Sequence, residues 1–336
     1  VKRSPIGLDD IAAPDNLAAA FRLAVKGKGT QHETIVFSRD LDSNLARLGA
    51  ALRQGSWRPS VLRAFGIRDP KPRLIHAPSF ADRVAHHAIM AKVGPVLDRT
   101  LVFDTYACRT GKGTLAAVQR AAAHTARYAR FVQIDIQSYF PSIDHSVLLG
   151  MLARRFRDRD LLALFGHIVA VHAAASGRGL PIGALTSQHF ANFYLGGADR
   201  LVLEAPGVRG YVRYMDDMVW WTDDRDSILV SVRSFLANTL RLTIKSPVVS
   251  GPSRHGLHFL GFRVLPDRML LSHRRQTRYA AGRAAAEAAW LRGEMGDLAL
   301  QSAYASVLAP TLHADAAAWR RAQLSRVPLA PALAAM

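Results

Sequence analysis

Tyr211-Val212-Arg213-Tyr214-Met215-Asp216-Asp217-Met218-Val219-Trp220-Trp221 is the stretch from which the rest of the chain is read. Two short runs of aromatic and β-branched residues flank a polar Met-Asp-Asp centre. That pattern predicts a β-hairpin with the acidic pair at its turn. Adjacent carboxylates between apolar strands are costly to bury unless a cation sits on them. The hairpin alone is therefore either a metal-binding element or a solvated acidic turn. A third acid upstream favours the first: in Phe131-Val132-Gln133-Ile134-Asp135-Ile136-Gln137-Ser138-Tyr139-Phe140, Asp135 again interrupts an apolar strand. If the two strands pair in one sheet, Asp135, Asp216 and Asp217 converge. Hard oxygen donors of this kind suit Mg²⁺, with Mn²⁺ as a substitute. Two such ions roughly 3.5–4 Å apart activate an attacking oxygen and stabilise a leaving one. The expected reaction class is nucleotidyl transfer, a primer 3′-hydroxyl attacking an α-phosphate, with no protein nucleophile.

Composition bounds the partners. The formal charge of +18, from 44 Lys+Arg against 26 Asp+Glu, favours a polyanion bound through phosphate contacts and counterion release. At 336 residues, 49% hydrophobic and with mean hydropathy near zero, the chain is expected to fold as one large domain or two to three subdomains sharing a core. Apolar runs are interrupted too early for a membrane span, and no secretory leader precedes a cleavage site. The first residue is Val, so the start is trimmed or non-Met. One cysteine, Cys108, excludes an internal disulfide and a Cys-rich zinc site, and points to a reducing cytoplasm. The pairs His86-His87, His167/His172 and His255/His258 lack the acidic or Cys partners a zinc site needs.

Along the chain, spacing predicts helices over 17–25, 38–54 (closed by Gly55) and 82–93 (stopped by Pro95), with short strands at 61–67 and 73–76 between the last two. Tyr106–Thr114 is a polar loop feeding an Ala-rich helix to about 129. Its Gly111-Lys112-Gly113 fails the phosphate-loop pattern, because Lys112 is followed by Gly113 and position 106 is Tyr. After the Asp135 strand come helices near 145–156 and 161–174, then one of little charge running to about 203. The acidic hairpin, a helix near 226–240, a strand at 241–245, a turn at 251–256 and a strand at 258–264 follow. Of the adjacent Trp220 and Trp221, one is expected in the core and the other under a primer or a helix. From about 268 the chain is Arg-rich helix, with nine Arg against four acids up to Arg326. Helices and strands mix without regular alternation, giving an α+β class.

At this point the chain resembles a family. Tyr214-Met215-Asp216-Asp217 matches the Tyr-x-Asp-Asp motif of reverse transcriptases, and Asp135 with Ser138-Tyr139-Phe140 matches their first catalytic motif. Phe259-Leu260-Gly261-Phe262 resembles their primer-grip hairpin. Leu180–Gln188 resembles the motif that usually reads Gln-Gly-x-x-x-Ser-Pro, with Ile182 in place of Gln and Gln188 in place of Pro. That variant resembles the reverse transcriptases of diversity-generating retroelements, as do Pro70-Lys71-Pro72-Arg73-Leu74-Ile75 and the Tyr106–Thr114 loop.

The resemblance implies a right-hand polymerase with an antiparallel palm sheet: N-terminal helices and fingers in 1–105, a palm in 106–265 with a fingers segment at about 150–182, and a helical thumb in 266–336. With about seventy residues after 265, no RNase H, protease or nuclease-like extension is expected beside the thumb. It implies that Asp135 and Asp216 ligate two Mg²⁺ ions with the Ile136 carbonyl, Asp217 supporting them. Phe140 would exclude a ribose 2′-hydroxyl beside Tyr139, itself a packing residue or a base platform. Arg73 and Lys71 would hold the triphosphate, and Ile182, Gly183 and Gln188 would border the nascent pair. Lys245 is either the proton donor to pyrophosphate or a plain surface lysine. Ile182 cannot make the hydrogen bond a Gln makes, worth about 0.5–1.5 kcal/mol, so reduced fidelity is expected, and the resemblance implies that the misincorporation falls opposite template adenines; otherwise Ile182 simply packs. The implied partners are template RNA, primer or cDNA strand, dNTPs and a small basic oligomeric accessory protein, without a membrane, in a bacterial or phage-encoded setting. Retron, group II intron and abortive-infection polymerases, and a non-catalytic RNA-binding scaffold, are the alternative readings.

Overall fold

The computed structural model describes residues 2–68, 72–172 and 177–326. Four helices (α1, Leu8–Ala12; α2, Pro14–Val25; α3, His32–Arg39; α4, Leu41–Arg53) precede a two-stranded ribbon (β1, Arg63–Arg68; β2, Pro72–Ala77) and the long α5 (Phe80–Asp98). Then come α6 (Thr114–Arg127), β3 (Arg130–Ile134), the single turn α7 (Tyr139–Ser142), α8 (His145–Ala153), α9 (Arg159–Ala170), α10 (Leu185–Tyr194) and α11 (Gly196–Glu204). The hairpin β4 (Val208–Tyr214) and β5 (Asp217–Thr222) leads to α12 (Asp226–Asn238), β6 (Val249–Pro252), and a small sheet of β7 (Leu257–Phe259), β8 (Phe262–Val264) and β9 (Met269–Leu271). Three helices follow: α13 (His273–Leu291), α14 (Asp297–Leu308) and α15 (Ala317–Arg326). Among the described residues, no helix is long and apolar enough to cross a membrane.

The central sheet runs β4-β5-β3-β6, with every neighbouring pair antiparallel. Alternation along each strand buries both faces. Trp220, Tyr211, Val132 and Ile134 join the core shared with the N-terminal helices and α8–α12, while Trp221, Val212, Val219 and Phe131 join a second core under α6 and the β7–β9 sheet. Both tryptophans are fully buried, so neither is left for a primer. Their opposite directions are what adjacent strand residues must adopt. In β4, Gly210 is required by close approach: a Cβ there would stand 2.6 Å from Nδ1 of His124 on α6.

Several expected elements differ. The helix expected over 38–54 forms as α4, starting only at Leu41 because Asp40 (φ −130°, ψ 57°) leaves helical geometry, and Ser38 and Arg39 instead end α3, a helix that the spacing did not predict. Pro95 does not stop α5: Gly94 has no Cβ to clash with the proline ring, and the buried Val93, Val96 and Leu97 hold the last turn. The helix of little charge breaks at Leu195, where Gly197 lies against the Phe235 ring of α12. No strand forms over 241–245. Arg241 is left-handed (φ 54°), and only Ile244 bridges, to Ile136. Conversely, β6 takes the first two residues of the turn expected over 251–256, pairing Phe131 with Gly251, and the 258–264 strand folds back at Leu260-Gly261 as the hairpin that the resemblance implied.

Candidate metal and nucleotide site

The sheet register brings the acids together. β3 and β5 pair Ile134 with Met218, so one further step sets Asp135 opposite Asp217. Asp135 itself lies just past the end of β3, and Asp216 sits in the two-residue turn closing β4 and β5, beside left-handed Met215 (φ 56°). On its other side, Asp135 is clasped by the 243–245 segment. Lys245 N–H donates to the Asp135 carbonyl (2.9 Å) and Gln137 N–H to the Thr243 carbonyl (2.9 Å). This is the non-hydrogen-bonded form of an antiparallel pair, so the Ile136 carbonyl turns away from Ile244.

Asp135, Ile136 and Asp216 border a cavity of about 830 Å³ that Arg73, Phe140, Ile182 and Lys245 also line. Burial, and then the negative charge of Asp135, push the Asp216 carboxyl up to about 6; Arg73 acts in the opposite sense. Burial pushes Asp217 up to about 7. Lys245 Nζ stands 3.1 Å from Asp135 Oδ2. Two crowded carboxylates of this kind, with Lys245 paired to only one of them, offer hard oxygen donors that fit a divalent cation. Asp217 is turned elsewhere: its Oδ1 accepts from Gln133 Nε2 (2.8 Å), which also reaches the His258 carbonyl (3.1 Å). Among the described residues, no three His, Cys, Asp or Glu side chains converge as a metal cluster.

The other expected residues are distributed around this centre. Arg73 is exposed on β2, and Lys71 lies outside the described residues. Tyr139 is buried, its hydroxyl donating to the Ala191 carbonyl, with its ring edge-on to Phe140. Ile182 fixes β2 to the cavity: its carbonyl accepts from His76 N–H at 2.8 Å. Gly183 is required there, with φ +126° and an added Cβ only 2.9 Å from the His76 carbonyl oxygen. Gln188 lies apart, on a smaller cavity of about 200 Å³ with Gly183 and His86, where it accepts from Cys108 Sγ (3.7 Å).

Sequence reasoning missed three features. His76 and His172 rings meet at 4.0 Å between centroids on the cavity wall. Gln133 holds Asp217. Fully buried Arg213 pairs with fully buried Asp199. The last had a signal, since Asp199 is an acid in a helix of otherwise little charge.

Residues 67–264 match the family model described as reverse transcriptase (RNA-dependent DNA polymerase). The chain is 24% identical over 214 residues to protein YkfC of Escherichia coli, covering 58% of this chain and 56% of YkfC. It is 22% identical over 206 residues to the group II intron-encoded protein LtrA of Lactococcus lactis, covering 57% of this chain and 34% of LtrA. It thus spans about half and a third of these relatives' lengths. A solved structure of apo telomerase from Candida tropicalis, truncated from its C-terminal domain, aligns with TM-score 0.45 at 12% identity, over 63% of this chain and 55% of that one.

Proposed function

The chain belongs to the reverse transcriptase (RNA-dependent DNA polymerase) family, and from that premise we propose that it copies a template RNA into DNA at the Asp135–Asp216 cavity. The observation that carries this reading is the convergence of those two carboxylates, from separate strands, on one cavity flanked by Arg73 and Lys245. In this reading the ribbon and N-terminal helices up to about 105 act as fingers, 106–265 as palm with a fingers segment at about 150–182, and 266–336 as thumb.

Asp135, Asp216 and the Ile136 carbonyl would hold the Mg²⁺ ions, and Asp217 would support them through its position at the start of β5. When bound, the ions supply charge neutralisation at the transferred phosphate and activation of the primer hydroxyl. The chain's own side chains do the rest. Arg73 binds the triphosphate, with Lys71 as a second cation for it. Phe140 closes the side of the cavity where a 2′-hydroxyl would enter. Ile182 presents methyl groups, not an amide, to the nascent pair, and Lys245 carries a proton within reach of the leaving group.

Within the family, the Ile182 and Gln188 pattern supports a diversity-generating retroelement polymerase, error-prone at template adenines and working with a small basic accessory protein. A second reading, a polymerase of the intron-encoded kind, is favoured by the similarity to LtrA. Primer extension on an RNA template with Mg²⁺, with and without a basic accessory protein, tests both beside Asp216→Ala. DNA product from the parent alone or with the partner, abolished by Asp216→Ala, supports polymerisation; no product in either condition overturns it. Misincorporation concentrated opposite template adenines supports the first reading, and a uniform error spectrum the second.

A further inference from the structure

We propose that the C-terminal end of α10 sets the spacing between the two carboxylate-bearing segments, making Tyr139 and Arg213 positioning residues for Asp135 and Asp216. The inference rests on reading those two aspartates as metal ligands. Because α10 ends at Tyr194, the carbonyls of Ala191 and Asn192 have no partner within the helix. Each is taken by one of the two segments. The Tyr139 hydroxyl, four residues beyond Asp135, donates to the Ala191 carbonyl. Arg213 Nη2 donates to the Asn192 carbonyl at 3.0 Å.

Arg213 then reaches the acidic turn itself. Its Nη1 donates to the Met215 carbonyl (2.8 Å) and to Asn192 Oδ1 (2.9 Å), while Nε and Nη2 grip Asp199 at 2.5 and 2.7 Å. All five guanidinium donors are thereby used. Asp199 also accepts from Tyr211 and Thr105, and Asn192 donates to the Ala107 carbonyl, so the clamp is tied to four separate stretches of chain. A guanidinium serving only to neutralise Asp199 would have no need of the Met215 carbonyl. The cation also meets the negative end of the α10 dipole. The break between α10 and α11 is what leaves these carbonyls available.

The test is Mn²⁺ binding to the full chain, followed by the electron paramagnetic resonance of the free ion, alongside steady-state primer extension. Arg213→Lys keeps the charge but loses the fork, and Tyr139→Phe removes one hydroxyl. Each is expected to weaken Mn²⁺ binding by about tenfold or more, as loss of groups supporting metal ligands does. kcat should fall while dNTP KM and RNA affinity stay within about twofold. Leu236→Ala, a buried residue of α12, serves as a control for lost stability and should bind Mn²⁺ as the parent does. Should Arg213→Lys not fold, Tyr139→Phe decides. Parental Mn²⁺ affinity in the variants, equal weakening in Leu236→Ala, or no Mn²⁺ binding by the parent overturns the inference. A parent that binds Mn²⁺ without extending primers, either alone or with the basic accessory protein, overturns the polymerase reading, and the Mn²⁺ affinities still decide this one.

Discussion

Gly183→Ala tests how the cavity is assembled. Gly183 adopts φ +126°, where an L side chain is strained, and its added Cβ would meet the His76 carbonyl oxygen and Ile75 Cγ2, each at 2.9 Å. One obstacle is backbone, so β2 has to move away, and with it the His76 N–H to Ile182 bond of 2.8 Å. Strain of this kind costs about 1–3 kcal/mol. The hydrogen bond contributes about 0.5–1.5 kcal/mol. Together they disfavour the docked ribbon by about 2–4 kcal/mol, or about 30- to 1,000-fold in population. Every residue of β1 is exposed, so the ribbon has little core to hold it once that contact is lost. Arg73 travels with β2. The expected outcome is a rise in dNTP KM of at least about tenfold, with RNA affinity unchanged, because the rest of the basic surface is untouched. Steady-state kinetics on a primed RNA template measure it. A dNTP KM within twofold of the parent, in a variant that is folded by circular dichroism, would refute the reasoning.

Three further outcomes follow from particular contacts. His86 is buried against Trp57 and Thr186, and burial holds its imidazole down to about 4. Between pH 6.5 and 4 the unfolded chain therefore takes up a proton that the folded chain refuses. Stability from this group is intact above pH 6.5 and falls by about 2 kcal/mol by pH 5. The raised carboxyls of Asp216 and Asp217 act in the opposite sense, so the quantity to measure is the difference in urea midpoint between parent and His86→Gln; a difference independent of pH would contradict the assignment. Phe140→Ala should admit ribonucleotides, raising rNTP over dNTP use by about tenfold or more in competition assays. Ile182→Gln should lower misincorporation opposite template adenine by a few-fold up to about tenfold, the worth of one hydrogen bond, read by sequencing of cDNA; an unchanged spectrum means that Ile182 only packs.

The acidic hairpin was legible because its signal is local. Alternation sets strand faces, and an acid inside an apolar run is conspicuous wherever it falls. The same logic located Asp135, since the pairing of two apolar strands fixes where their ends meet. The break at Leu195 had a local mark, Gly196-Gly197, but helical spacing runs through the pair, and the close approach of the Phe235 ring from α12 to Gly197 is visible only in the fold. The fate of Asp217 was equally hidden. Asp216 and Asp217 are neighbours of the same type, and only the diagonal approach of Gln133 across the β3–β5 pair separates them. Arg213 reads in the sequence as a polar residue on a half-exposed strand, whereas its partner lies on α11, fourteen residues away.

The strand β6 has one more consequence. Val249-Ser250-Gly251-Pro252 is a poor strand former, which is why the sequence suggests a turn, yet it occupies the outer edge of the central sheet. An exposed edge is a template on which a second chain can pair and aggregate. Proline at the end of β6 has no N–H to offer, and Gly251 offers no side chain to grip. At the opposite edge, β4 is covered by the 104–106 segment, which exchanges backbone hydrogen bonds with Arg213. Weak strand propensity at 249–252 thus limits pairing at this edge of the sheet, and replacing Pro252 by a β-branched residue is expected to raise self-association, read by light scattering, while leaving the Asp135–Asp216 cavity in place.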